Sequence, residues 1–166
     1  MIDSTRSDAL VIFGISGDLA YKKIFPALQN LARRGRLDMP VIGVARGTGS
    51  LEAIRQRMRA SLAEHGGGVD EKLYAQLCAQ LAVVEGDYQD AATFVALRRQ
   101  LGESKHPLHY LAIPPSLFAK VVEQLGASGC AAGARVVVEK PLGRDLASAR
   151  TINHELRSVF DENEIF

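Results

Sequence analysis

Five short apolar runs alternate with helical periodicity along the whole chain, and this alternation restricts the fold more than any other feature of the sequence. The runs predict strands over Ala9 to Gly14, Pro40 to Ala45, Ala82 to Glu85, Pro107 to Ile113 and Arg135 to Glu139. Between them lie Leu19/Ile24/Leu28/Leu31, Leu51/Ile54/Met58/Leu62, Leu73/Leu77/Leu81, Phe94/Leu97/Leu101 and Leu117/Val121/Leu125. Each set recurs near the helical period and predicts a helix with one apolar stripe. Strands rich in Val and Ile, apolar on both sides of the pleat, belong in a buried parallel sheet. The order therefore predicts an α/β fold: three layers around a doubly wound, mostly parallel sheet. "HGGG" (His65 to Gly68) predicts a break between two helices of one long crossover. Pro26 predicts a kink in the first helix. A last pattern, Leu146/Ala149/Ile152/Leu156/Val159, leads into "NEIF", which reads as the start of a further strand.

The first strand ends in "GISGDLA", with Gly14 closing the run and a helix expected from about Asp18. A helix that begins there aims its free N–H groups and the positive end of its dipole at the turn, a geometry suited to phosphate. Gly-x-x-Gly-x-x-Ala (Gly14, Gly17, Ala20) describes the turn better than Gly-x-Gly-x-x-Gly does, since Ser16 and Leu19 hold the other two glycine positions. The residues alone leave two readings: a dinucleotide-binding turn of Rossmann type, or a structural turn whose helix is capped by Asp18 or Ser16. The end of the second strand is an independent indicator. An NAD site calls for an acid there and an NADP site for a cation, and this strand ends on Arg46. A guanidinium grips phosphate through paired charge-assisted hydrogen bonds, which favours NADP over a merely solvated arginine. Arg46 lies 32 residues beyond Gly14, so the first helix is expected to be long.

Charge supports only local sites: 20 basic residues nearly cancel 19 acidic ones, so nothing in the balance calls for nucleic acid or an anionic membrane. The clusters "RRGR" (Arg33 to Arg36) and "RQRMR" (Arg55 to Arg59) read as solvated helix faces. Cys78 and Cys130 are isolated, belong to no metal-ligand spacing and suit a reducing compartment. The polar N-terminus is unlike a secretory signal and no apolar run approaches the roughly 20 residues that cross a bilayer. A cytoplasmic protein without metal is the expectation.

Taken together, "GISGDLAYKKIFPAL", "GVAR", "HYLAIPPSLF" and "RVVVEKPLGRDLASA" resemble, in order and at fitting separations, the nucleotide-binding half of the glucose-6-phosphate dehydrogenase family. The resemblance covers the chain from Asp8 onward. It implies a single dinucleotide-binding domain over residues 1–166, with NADP held by Gly14, Ile15, Ser16, Gly17, Asp18, Leu19, Ala20 and Tyr21. It further places Arg46 at the 2′-phosphate, Asp87 and Tyr88 ("EGDYQD") along the coenzyme, and Phe118 near it. Lys140 of "EKP" matches a lysine that contacts both coenzyme and sugar phosphate, and Pro141 a proline that is cis in the family and lies near an interdomain hinge.

The implied reaction is oxidation of glucose 6-phosphate to 6-phosphogluconolactone with production of NADPH, in the oxidative pentose phosphate pathway. In the family a histidine of a separate α+β domain acts as base, and a substrate-binding Arg-Ile-Asp-His-Tyr-Leu-Gly-Lys-Glu segment would follow "NEIF". This chain is expected to be a piece that binds coenzyme without turning over sugar, the intact enzyme being a homo-oligomer through the missing domain. A free-standing dinucleotide-binding or redox-sensing module is the alternative. His65, His106, His109 and His154 have no convincing catalytic partner and are expected to be structural or exposed. Tyr21, Ile15 and Leu142 depart from a lysine, an alanine and a phenylalanine common in relatives, and Gly47 offers no side chain beside Arg46.

Overall fold

A computed structural model describes residues 6–166 apart from positions 48 and 141. The strands are β1 (Ala9–Phe13), β2 (Val41–Ala45), β3 (Leu81–Glu85), β4 (Pro107–Leu111) and β5 (Arg135–Val138). The helices are α1 (Phe25–Arg33), α2 (Leu51–His65), α3 (Glu71–Gln80), α4 (Ala91–Leu101), α5 (Phe118–Ser128) and α6 (Leu146–Arg157). All strand pairs are parallel, in the order β3-β2-β1-β4-β5.

Alternation within β1 shows why both faces must be covered. Val11 and Phe13 enter one apolar cluster, with residues of α4, α5 and α6. Ile12, between them, enters the other, with α1, α2 and α3. The result is the three-layer, doubly wound arrangement expected from the pattern. Phe13 is central to its side, its ring 6.0 Å from that of Phe94 and 5.9 Å from that of Tyr88. Burying such a ring contributes about 1.5–3 kcal/mol.

The helical path after β1 starts at Asp18, as expected, but Pro26 is accommodated differently from a simple kink. Ala20–Ile24 form a π-helical turn in which Phe25 N–H donates to Ala20 O, and Pro26 then sits in the first turn of α1, where its missing N–H costs little. "HGGG" does separate α2 from α3, and buried Gln29 fixes the link by donating to Gly66 O and Gly68 O and accepting from Asp70 N–H. "NEIF" pairs as the strand pattern anticipated: Phe166 N–H donates to Val136 O and Val138 N–H to Phe166 O, each at 2.9 Å, on the outer side of β5.

Among the described residues no helix is long and apolar enough to cross a membrane, and no group of three or more His, Cys, Asp and Glu could hold a metal ion.

Candidate dinucleotide site

Strand order reverses between β1 and β4, so the chains leaving these two strands diverge to opposite faces and open a crevice at their carboxyl ends. The glycine turn lies at that edge. Gly14 has φ +83°, and a Cβ there would sit 2.2 Å from Ala112 O, which leads away from β4. Only glycine permits both the dihedral and the approach. Gly14 N–H is held by Val44 O at 3.1 Å and by the Tyr88 hydroxyl at 2.8 Å. Gly17 N–H then closes the turn on Gly14 O at 2.9 Å.

The first bond of the helix runs from Tyr21 N–H to Gly17 O at 3.2 Å, leaving the N–H groups of Asp18 and Leu19 ahead of it without helical acceptors. Neither Ser16 nor Asp18 caps them with its side chain. By contrast, α2, α3, α4 and α6 are capped by Ser50, Asp70, Asp90 and Asp145. The capped structural turn weighed from sequence is therefore not what forms. An open helix N-terminus at the switch point can accept a phosphate group.

The expected site residues divide by burial. Gly14, Ser16, Gly17, Asp18 and Leu19 reach the surface of the turn, with Ser16 and Asp18 exposed. Ile15 and Ala20 are fully buried and support the turn from within. Ile15 occupies the space above Gly43, where any Cβ would fall 2.5 Å from its Cδ1, which explains a glycine in mid-strand. Tyr21 turns sideways onto α2. Tyr88 is buried, its hydroxyl joining Gly14 to Val44 O at 3.2 Å, so it braces the turn instead of lining the crevice. Burial raises its phenol pKa. Asp87 beside it is exposed, with one carboxylate oxygen accepting from Gln89 N–H. Phe118 is 1% exposed at the start of α5, where its ring packs in the core cluster.

Arg46 is exposed at the end of β2 and has no ion-pair partner among the described residues. Lys140 is likewise exposed and unpaired beyond β5. The neighbouring carboxylate, Glu139, accepts from the Tyr110 hydroxyl, and among the described residues no ion pair joins Glu139 and Lys140. Burial and that carboxylate raise the Tyr110 pKa. Pro141 lies outside the described residues. Beyond it, a groove of about 640 Å³ opens between Pro114, Pro115 and Ser116 after β4 and Arg144, Ser148 and Ile152 at the start of α6.

Sequence reasoning missed Arg57. Its arginine cluster reads as solvated, yet Arg57 donates from Nη2 to Gly17 O at 3.1 Å. No motif marks it, because its place depends on how α2 packs. Of the histidines, His65 and His154 are exposed, His106 is half-buried with Nδ1 3.4 Å from Gly133 O, and His109 is buried with Nε2 2.8 Å from Cys130 O.

Residues 11–166 match the family model described as glucose-6-phosphate dehydrogenase, NAD binding domain. Glucose-6-phosphate 1-dehydrogenase 1 of Mycobacterium tuberculosis is 42% identical over 96% of this chain and 34% of its own length. The glucose-6-phosphate 1-dehydrogenase of Saccharomyces cerevisiae is 36% identical over 97% of this chain and 34% of its own length. The crystal structure of the Mycobacterium avium enzyme superposes with a TM-score of 0.91 at 44% identity, covering 96% of this chain and 36% of that one. A glucose-6-phosphate dehydrogenase in complex with glucose 6-phosphate gives 0.84 at 32% identity, with the same two coverages of 96% and 36%. The chain thus spans about a third of the length of these relatives. With its fold, its open glycine turn at the switch point and a matched segment that covers nearly all its residues, the chain belongs to the glucose-6-phosphate dehydrogenase NAD-binding domain family.

Proposed function

We propose that this chain is the NADP-binding domain of an oxidoreductase that oxidises glucose 6-phosphate to the lactone. The observation that carries the cofactor choice is Arg46, an exposed, unpaired guanidinium at the end of β2 where an NAD site would hold an acid. Family membership supports the dinucleotide, and the relatives' names support the sugar phosphate.

The residues fit such a coenzyme chemically. Free N–H groups at Asp18 and Leu19 and the helix dipole suit the diphosphate, and Gly17 lets it approach the backbone. Arg46 donates to the 2′-phosphate. Lys140, exposed just beyond β5, offers an ammonium to substrate and coenzyme oxygens at the carboxyl edge. The coenzyme supplies hydride acceptance. The protein orients it and brings positive charge to its phosphates. The proton acceptor for the sugar hydroxyl is expected from the part of the longer relatives that this chain does not span.

Calorimetric titration of this chain with NADP and NAD tests the reading. NADP should bind more tightly, and glucose 6-phosphate added to the complex should yield no measurable NADPH. Equal affinities would remove Arg46 from the 2′-phosphate. A ready dehydrogenase rate from these 166 residues would refute the division of labour.

A further inference from the structure

The helix that begins at Asp18 and helix α2 run side by side in matched steps. Arg57 Nη2 reaches Gly17 O, and one turn further on Ser61 Oγ donates to Tyr21 O. The residues of α2 before Arg57 therefore extend past the glycine turn. The Arg57 guanidinium lies over the Tyr21 ring, 4.8 Å from its centroid. Tyr21 is itself fixed by a 2.5 Å hydrogen bond to Glu64 and by the His65 ring set edge-on at 5.4 Å.

This arginine is half-buried, its Nε is buried without an acceptor, and among the described residues no carboxylate pairs with it. Neither Asp18, in the same turn, nor Glu64, on the other side of Tyr21, forms an ion pair with it. A cation without an ion-pair partner among the described residues thus stands beside the positive end of a helix dipole, a combination that favours an anion there.

We infer that Arg57 is a positioning residue for the diphosphate of the dinucleotide, distinct from Arg46 at the 2′-phosphate; the inference rests on the dinucleotide reading above and deepens it. A trans peptide sets its C=O and N–H on opposite sides. Together with the Tyr21 N–H, Arg57 holds Gly17 O and so keeps the Asp18 N–H directed out of the turn, and its charge adds to the dipole there. The diphosphate is common to NAD and NADP, so Arg57 governs affinity and Arg46 governs the choice between them.

Two fragments separate these roles: ADP-ribose carries the diphosphate without a 2′-phosphate, and 2′-AMP the reverse. By calorimetry on this chain, Arg57→Met should weaken ADP-ribose about tenfold and leave 2′-AMP within about twofold, with Arg57→Lys recovering part of the loss. Arg46→Ala should show the opposite pattern. Unchanged ADP-ribose binding in Arg57→Met overturns the inference, as does equal weakening of both fragments with a lowered melting temperature. If the unaltered chain binds neither fragment nor NADP, the dinucleotide reading fails and takes the inference with it.

Discussion

The Tyr88 hydroxyl accepts the Gly14 N–H at 2.8 Å and donates to Val44 O at 3.2 Å, so a side chain from the loop after β3 fixes the turn after β1 through the strand between them. Replacement by phenylalanine keeps the ring against Phe13 and removes both bonds. Gly14 N–H retains Val44 O, which limits the loss. Tyr88→Phe should therefore cost about 1–2 kcal/mol, seen as a melting temperature lower by roughly 3–6 °C, and weaken NADP several-fold.

The two glycines of the turn should fail in different ways. Gly14→Ala brings a Cβ within 2.2 Å of Ala112 O at a positive φ, so backbone must move. A loss of more than about 3 kcal/mol is expected, visible as poor solubility or a collapsed melting transition. At Gly17 the nearest atom to an added Cβ is Gly14 O at 3.2 Å and φ is ordinary, so Gly17→Ala should fold. Its methyl would instead stand where the diphosphate approaches, and NADP binding should fall with little change in melting.

Removal of the Arg46 guanidinium should weaken NADP by about tenfold to a hundredfold, the worth of a charge-assisted contact, and leave NAD nearly unchanged. Titrations with both coenzymes read the difference directly, and equal weakening of the two would contradict the assignment.

His109 makes the fold sensitive to acid. Burial pushes its imidazole pKa down from 6.5 to about 4, against a smaller opposing effect of the Cys130 carbonyl, and its Nδ1 has no hydrogen-bond partner. Between those two values the unfolded chain binds a proton that the folded chain does not, so stability declines as pH falls through this window. The full loss from this group is about 3 kcal/mol. Denaturant unfolding at pH 7.0 and pH 4.5 should show it, and His109→Gln should flatten that part of the pH dependence.

Gln29 is the corresponding polar element on the other face of the sheet. Gln29→Leu leaves Gly66 O, Gly68 O and Asp70 N–H without their side-chain partner, and about 1–3 kcal/mol should be lost. Hydrogen exchange should accelerate first between α2 and α3.

Local pattern was enough for the strands, the crossovers and the glycine turn, because two-sided burial and helical stripes are written in residue spacing. It also placed Arg46 and Lys140 just beyond strand ends, where both are exposed, because a position after a strand needs no packing to define it. It did not tell that Phe118 and Tyr88 are buried, since an aromatic residue at a surface and one beneath it look alike in a linear sequence. Arg57 was hidden for the converse reason: its arginine cluster looks solvated, and only the parallel packing of α2 against the helix after Gly17 turns that side chain to a backbone carbonyl.

The sequence by itself thus determined the layers, the order of elements and where the candidate site residues fall along them, through periodicity and dihedral preference. Tertiary structure decided which of those residues face the crevice and which support it. That choice depends on contacts between segments tens of residues apart, such as Gly14 with Tyr88 and Gly17 with Arg57, and no local signal encodes them.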